Sequence, residues 1–341
     1  MRMFRPPFCP FPDCDTQQGK EKFHWRSRGR YFRKCDGRWV RRFSCKTCER
    51  RFSVQTFKTD YRWKKPRLHY RLFDLFISKV TMRQMARIHG VRRPTVERRL
   101  RRLGKVSREF HSQVLALAKL RGGLQGTFQL DELETYETDR RLSPVTMPVV
   151  IERNTYFVLH GETAPLPARG NLTPAMKRKK EERDKRYGKR RSGSRPAVIN
   201  SLNRLKFAHD PNSRISFESD RKLSYRTEFR KIAGAQFGCH VRVSSKNVRD
   251  RSNRLFPINH TLAMMRDCIS RLVRRTWAAS KLRQRLDLHF WMWACYRNYV
   301  RGITVLTKTT PAQAIGVLRR AWRREDFLRW RWPQISLELG Q

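Results

Sequence analysis

The sequence has few acidic residues for its length. Its 341 residues include 29 Asp+Glu against 78 Lys+Arg, which gives a formal net charge of +49. A charge excess of this size repels itself unless an anionic partner screens it, and the common polyanions are nucleic acid and anionic membrane. A hydrophobic fraction of 38% nevertheless excludes a disordered chain, and the length suffices for two or three domains.

Long apolar runs are also missing. The most apolar stretch, "LDLHFWMWACY", is short and contains Asp287 and His289, so it does not predict a membrane span. The N-terminal "MRMFRPPFCPFPDC" lacks the apolar core of a signal peptide. Basic residues are spread along the whole chain and are not confined to one amphipathic helix, so we expect nucleic acid as the partner and no membrane.

Cysteines are scarce after residue 50, where three of the eight lie. The other five precede it, and four of them form the pairs "CPFPDC" and "CKTC". The segment between the pairs alternates aromatic and basic residues as short strands do. Two cysteine pairs on turns, separated by strands, are typical of a zinc ribbon. We therefore predict that Cys9, Cys14, Cys45 and Cys48 bind one zinc ion. Cys35 is either a packed thiol or a substitute ligand, and the alternative for all five is ordinary burial.

The stretch "TMRQMARIHGVRRPTVERRLRRLG" predicts a helix-turn-helix. Thr81 is a good N-cap, Gly90 permits the turn, and Pro94 opens the second helix. Val96, Leu100 and Leu103 share one face of that helix. Its polar side suits a major groove, and the predicted DNA contacts are Arg92, Arg93, Thr95, Arg98, Arg99 and Arg102. The alternative is a helical hairpin with a solvated basic face.

After Gly122 and Gly123 the pattern changes to strands. "GTFQLDEL", "VTMPVVIE" and "TYFVLHGE" predict an antiparallel meander. A basic tract at about 169–195 is read as a solvated insertion that could grip phosphates. Then follow a helix in "RPAVINSLNRLKF", a strand "RISFESD", a strand "CHVRVSS" and helices from His260 to nearly Arg301. "TTPAQAIGVL" predicts another helix, with Thr310 as its cap.

One segment, "FQLDELETYETD", gathers five acids in this basic chain. The order of elements is that of a ribonuclease-H-like domain, in which the first strand is central and the fourth lies beside it. Asp131 on the first strand and Asp220 at the end of the fourth would then face each other. Opposed carboxylates suit Mg²⁺, and a metal pair about 4 Å apart can act on phosphodiesters. Glu132 could support this site, and Glu134, Glu137 and Asp139 are read as a solvated turn.

The chain resembles the DDE transposases of bacterial insertion elements that combine a zinc ribbon, a helix-turn-helix and a ribonuclease-H-like domain. The similarity rests on the order of "RFSCKTCERRFS", the helix-turn-helix, "QLDELETYE", "ESDRKLSY", "LAMMRDCISRLVRRTWAASK" and "TPAQAIGV". It implies that Asp131 and Asp220 are the first two catalytic acids. The third, a glutamate in that family, aligns with Asn259. Asp267 and Asp250 are the acids that could replace it.

The sequence thus predicts an α/β multi-domain protein with four parts: a zinc ribbon at 1–57, a helix-turn-helix domain at 58–122, a ribonuclease-H-like domain at 123–301 and a helical tail at 302–341. The predicted function is a transposase that binds double-stranded DNA and uses structural zinc with catalytic Mg²⁺ or Mn²⁺. The alternatives are a decayed transposase that only binds DNA and a metal-dependent nuclease without strand transfer. The family resemblance also implies a cytoplasmic, nucleoid-associated protein that can oligomerise on DNA.

Overall fold

The computed structural model describes residues 4–244, 246–248, 250–273 and 278–331. The chain begins with a three-stranded antiparallel sheet in the order β1-β2-β3, formed by β1 (Trp25–Arg33), β2 (Arg38–Cys45) and β3 (Arg51–Ser53). Phe43 and Phe57 are buried beneath it in a cluster of aromatic residues and cysteines. The strands predicted between the two cysteine pairs are therefore present.

Three helices follow: α1 (Leu68–Phe76), α2 (Met82–Ile88) and α3 (Arg93–Leu120). Thr81 caps α2 by accepting a hydrogen bond from the Gln84 backbone, and Gly90 makes the turn at φ +56°. The predicted apolar face of Val96, Leu100 and Leu103 is fully buried. The helix continues well beyond Leu103, because apolar residues recur at helical spacing through Phe110 and Val114.

A second sheet has the strand order β6-β5-β4-β8-β9, with β7 paired to β5. Its strands are β4 (Thr127–Tyr136), β5 (Pro144–Glu152), β6 (Val158–Gly161), β7 (Ala164–Pro165), β8 (Ile215–Asp220) and β9 (Phe237–Val243). The meander β4-β5-β6 is antiparallel, as predicted, while β8 joins β4 and β9 joins β8 in parallel. The first strand of this mixed sheet is thus central, with the fourth strand of the predicted order beside it.

Helices cover both faces of the mixed sheet. Phe128 and Leu130 of β4 face the core formed with α3, α5 (Ser194–Ala208) and α6 (Leu223–Ala233). Leu133 of β4 faces the other core, formed with α7 (Phe256–Cys268) and α8 (Arg283–Cys295). The predicted core helix around "HFWMWACY" is confirmed, since α8 is buried on nearly all sides.

The basic insertion contains α4 (Pro174–Tyr187), which buries no residue, so the predicted solvation is confirmed. The C-terminal part of the insertion nevertheless forms hydrogen bonds with residues at the ends of β4 and β5. Arg183 donates to the carbonyl of Leu142 at 2.7 Å, and Arg190 donates to Glu137 at 2.9 Å.

The helices predicted from His260 to nearly Arg301 are present as two separate elements. Helix α7 ends at Cys268, whose carbonyl accepts a hydrogen bond from Lys79. Helix α8 begins at Arg283 and continues into a π-turn at Tyr296–Val300, and residues 274–277 lie outside the described part of the chain.

The predicted helical tail is described as far as residue 331. It contains two short helices, α9 (Pro311–Ala314), capped by Thr310 as predicted, and α10 (Arg324–Leu328). In the ranges that the structure describes, no helix combines the length and apolarity that crossing a membrane requires.

The contact between α3 and α8 gives the first testable prediction. A Cβ added at Gly104 on α3 would lie 2.5 Å from the carbonyl oxygen of Leu288 on α8. Replacing a helical glycine with alanine normally stabilises a helix by up to about 1 kcal/mol. Here we expect Gly104→Ala to lower the free energy of unfolding by about 1–3 kcal/mol, because the helices must separate.

Urea unfolding followed by circular dichroism measures this change. Lys105→Ala, at the exposed neighbouring position of α3, is the control and should stay within about 0.5 kcal/mol of the parent. A Gly104→Ala protein as stable as the parent would contradict the close approach of the two helices.

Candidate metal centres and nucleic-acid surface

Four cysteines meet beside the N-terminal sheet. The sulfur atoms of Cys9, Cys14, Cys45 and Cys48 all lie within 4.8 Å of one another. The Cys9–Cys48 and Cys14–Cys45 separations are 3.7 and 3.9 Å. A tetrahedral zinc site with Zn–S bonds of about 2.3 Å requires sulfurs about 3.8 Å apart. The cluster is therefore compatible with structural zinc.

Two tight loops bring the sulfurs together. The Cys14 backbone donates to the Phe11 carbonyl at 3.1 Å, and the Cys48 carbonyl accepts from the Arg50 backbone at 2.7 Å. Burial and the neighbouring sulfurs raise the pKa of the Cys9 thiol. Such thiols are costly to ionise unless a metal ion takes the place of their protons, which is the chemistry that zinc supplies.

Cys35 lies outside the cluster. It is exposed in the turn between β1 and β2, so both predictions for it, a packed thiol and a substitute ligand, are wrong.

The second candidate centre lies where β4 and β8 run side by side. Their parallel register pairs Gln129 with Glu218 and Leu130 with Ser219. Asp131 and Asp220 occupy the next position of the ladder, where neighbouring strands are about 5 Å apart. Gln129 also donates a 2.7 Å hydrogen bond to Glu218, so alternation places Asp131 and Asp220 together on that same face of the sheet.

Glu132 lies on the opposite face, in a network that the sequence did not predict. Its carboxylate accepts hydrogen bonds from Thr146, Ser194 and Tyr225 at 2.7–3.0 Å. It also pairs with Lys222 at 2.5 Å. Lys222 follows Asp220 by two residues, so this network ties the strand that carries Asp131 to the end of the strand that carries Asp220. The signal was in the quoted segment "ESDRKLSY", which contains both Lys222 and Tyr225.

Burial by itself raises the pKa of Glu132, but the hydrogen bonds from Lys222 and Thr146 and the Lys222 charge outweigh burial and lower it. Tyr225 is 1% exposed, and burial raises the pKa of its hydroxyl, followed by the charges of Glu132, Asp131 and Asp220. Tyr225 therefore stays a neutral hydrogen-bond donor to Glu132.

The remaining acids of the segment do not form a solvated turn, and that prediction is wrong. Glu134 belongs to β4 and pairs with Arg169 at 2.6 Å. Glu137 is buried and pairs with Arg190 at 2.9 Å. Asp139 alone makes a turn, accepting hydrogen bonds from the backbones that follow it. Most of this acidic segment thus fastens the basic insertion to the sheet.

Asn259 lies in the first turns of α7, on the face of the sheet that holds Asp131. The backbone of Ile258 donates to the Gln129 side chain at 3.0 Å, and Arg266 donates to the Glu134 carbonyl at 3.1 Å. Asn259 and Arg266 are seven residues apart and share one face of the helix. Helix α7 therefore runs along β4 with Ile258, Leu262 and Met265 buried against the sheet, and the half-buried Asn259 lies at the margin of that face.

The two acids considered as substitutes lie elsewhere. Asp267 is on the surface, 81% exposed, and pairs with Lys79 at 3.4 Å. Asp250 is exposed and accepts hydrogen bonds from Ser252 in its own loop. In the described ranges, the four cysteines form the one group of three or more ligand side chains close enough for a single ion.

The predicted DNA-contacting residues of α3 divide into two sets. Arg92, Arg93 and Arg98 are exposed, and Thr95 is half-buried. Arg99 is 2% exposed, donates to the Lys65 carbonyl at 2.9 Å and stacks on Trp63, so its assignment to DNA contact is wrong. Arg102 is half-buried and donates to the Thr59 carbonyl at 3.4 Å. A structural role explains these two arginines.

Comparisons with known proteins add little. No family model and no curated protein matches the sequence. Among solved structures, the catalytic domain of Mos1 mariner transposase aligns with 57% of this chain and 91% of that chain, at 14% identity and a TM-score of 0.23. A similarity this weak carries no argument, so the proposals below rest on the residues of this chain.

The cysteine cluster predicts about one equivalent of zinc per full-length chain, measured by elemental analysis of reduced protein. Cys45→Ser/Cys48→Ser should lose the zinc, because two thiolate ligands are removed. Cys35→Ser is the matched control and should retain it. Full zinc retention in the double variant would contradict the assignment.

The Glu132 network predicts a pH-dependent stability term. The folded-state pKa of Glu132 is lowered, so its contribution is present above the unfolded value of about 4.3 and is lost as pH falls through the folded value. We expect Glu132→Gln to reduce the free energy of unfolding by about 2 kcal/mol at pH 7. The deficit should shrink below about pH 4.

Denaturant titrations at several pH values test this. Asp267→Asn, which breaks an exposed pair, should change stability by less than about 1 kcal/mol. A Glu132→Gln deficit that is constant from pH 7 to pH 3 would show that the ionised carboxylate is not what stabilises the fold.

Proposed function

We propose that the protein is a transposase-like DNA-binding protein whose mixed sheet is a ribonuclease-H-like domain for DNA cleavage and strand transfer. The observation that carries the proposal is the parallel β4–β8 ladder, whose last pair, Leu130 with Ser219, directly precedes Asp131 and Asp220. The central first strand with the fourth strand beside it supports the same reading.

Asp131 and Asp220 would hold Mg²⁺ or Mn²⁺, because carboxylate oxygens are the hard ligands that these ions prefer. Bound there, the ions supply activation of water or a 3′-hydroxyl and stabilisation of the leaving oxygen. The chain's own contribution is orientation. The Asp131 carboxylate accepts from the Glu132 backbone at 2.7 Å and the Asp220 carboxylate from the Lys222 backbone at 3.0 Å. The Glu132–Lys222 pair holds the two strands at this spacing.

DNA would be bound by the other parts of the chain. The zinc-stabilised N-terminal sheet and the α2–α3 pair, acting as a helix-turn-helix, are the proposed end-recognition module. Exposed Arg92, Arg93 and Arg98 are the proposed contacts on α3. Assembly of two DNA ends by a homo-oligomer in the cytoplasm, associated with the nucleoid, belongs to the same proposal.

The second candidate is a DNA-binding protein that has lost catalysis. The specific observation behind it is the pair of surface positions taken by Asp267 and Asp250, neither of which supplies a carboxylate in place of Asn259. An amide oxygen can coordinate a metal ion but brings no negative charge and cannot take up a proton as a carboxylate does.

Cleavage of linear DNA duplexes from the borders of the gene, in Mg²⁺ or Mn²⁺, distinguishes the two candidates. We expect Asn259→Glu to raise the cleavage rate at least about tenfold, because a ligand charge is restored; tenfold corresponds to about 1.4 kcal/mol of barrier. Adding Asp131→Asn or Asp220→Asn to that variant should abolish cleavage.

Asp267→Asn is the control and should leave the rate unchanged. A parent protein that already cleaves fully, with no gain from Asn259→Glu, would refute the role given to Asn259. Cleavage that survives both Asp131→Asn and Asp220→Asn would refute the site itself.

A further inference from the structure

A second basic site lies at the free edge of the mixed sheet. A cavity of about 300 Å³ opens between α6 and β9. Its lining residues are Arg226, Arg230, Phe237, His240 and Arg242. Three guanidinium groups and an imidazole thus surround one small space, and none of the lining residues is acidic.

Within the described ranges, the arginines of this cavity lack the carboxylate partners that several arginines of the same domain have. Arg153 and Arg254 share the buried carboxylate of Glu218, and Arg195 pairs with Glu228. Among the described residues, Arg226, Arg230 and Arg242 have no carboxylate within salt-bridge distance. Arg242 donates through one terminal nitrogen to the Arg221 carbonyl, while its Nε is buried without a hydrogen-bond partner in the described structure.

His240, which lines the same cavity, also has a ring nitrogen without a partner in the described structure. The hydroxyl of Ser219 donates to the Asp220 carbonyl at 2.8 Å, so it must accept the 2.9 Å hydrogen bond from His240 Nε2. The ring proton is therefore on Nε2, and Nδ1 is buried with no partner in the described structure. Burial and the charges of Arg242 and Arg226 lower the pKa of His240 to about 4. A bound anion would offset the arginine charges that disfavour the imidazolium, so that Nδ1 could take up a proton and donate a hydrogen bond to the anion.

We propose that the cavity between α6 and β9 binds a phosphate group. Guanidinium groups match the geometry of phosphate oxygens, and the cavity is too small and too polar for a large apolar ligand. Given the proposed function, the phosphate is a backbone phosphate of DNA that passes the edge of the sheet. Free inorganic phosphate has the same chemistry and is the alternative source.

The location gives this site a further consequence. The hydrogen-bonded path from His240 through Ser219 ends at the backbone carbonyl of Asp220. A phosphate held at His240 would therefore fix the end of β8, on the strand that presents one of the two proposed metal ligands. Binding of the DNA backbone and positioning of Asp220 would be coupled over a short distance.

DNA binding by the full chain at several salt concentrations tests the site. The variant is Arg226→Gln/Arg230→Gln, which changes two exposed side chains of α6 and should fold normally. The control is Lys206→Gln/Lys231→Gln, which removes the same charge nearby without touching the cavity lining. The slope of log affinity against log salt is negative, and loss of one phosphate contact should reduce its magnitude by about 0.9 relative to the control.

A second arm uses inorganic phosphate alone. Thermal unfolding of each protein is followed with phosphate or chloride at equal ionic strength. A shallower salt dependence of DNA binding in the variant than in the control supports a backbone phosphate. An unchanged slope, with phosphate stabilising the parent but not the variant, supports the site with free phosphate as its ligand.

If the variant matches its control in both arms, the proposal is overturned. The outcome is separable from the proposed function. A parent chain that binds no DNA refutes that function, while the inorganic phosphate arm still decides whether the cavity binds phosphate.

Discussion

The parallel pairing of β4 with β8 is the contact on which the candidate chemistry depends. Its last pair, Leu130 with Ser219, directly precedes Asp131 and Asp220, the two proposed metal ligands. The pairing is secured on both faces of the sheet. Gln129 bonds Glu218 on one face, and Glu132 pairs with Lys222 on the other. A parallel ladder joins segments that are distant in sequence, so its side-chain ties replace the register control that a hairpin turn provides.

Carboxylates are few in this chain, and many of them are spent inside it. Glu137, Glu218 and Glu228 are buried, and each holds at least one arginine. The arginines beside the α6–β9 cavity have no carboxylate within salt-bridge distance among the described residues. Arginine thus has two uses in this chain: some arginines pair with buried carboxylates, and others, in the part of the chain that the structure describes, remain free of carboxylate partners and can bind an anion.

The strands and their order could be predicted because each strand has a period of two or a short apolar run between turn residues. The N-caps Thr81 and Thr310 could also be predicted, because capping is a local interaction. Long-range contacts were not. Arg99 lies next to Leu100 on a basic helix, and only the packing of Trp63 against it reveals that it is buried. Likewise, nothing near Glu134 in sequence announces its partner Arg169.

The last described residues pack against the N-terminal sheet and the segment that follows it. Trp330 stacks on Phe4 at 5.1 Å, and Thr59 donates to the carbonyl of Leu328, a contact that spans 269 residues. During synthesis the chain emerges from its N-terminus, so the cysteine-containing sheet can form before the α10 residues that complete its docking have been made. The relative orientation of that sheet and the three helices is therefore fully fixed only after α10 has joined them.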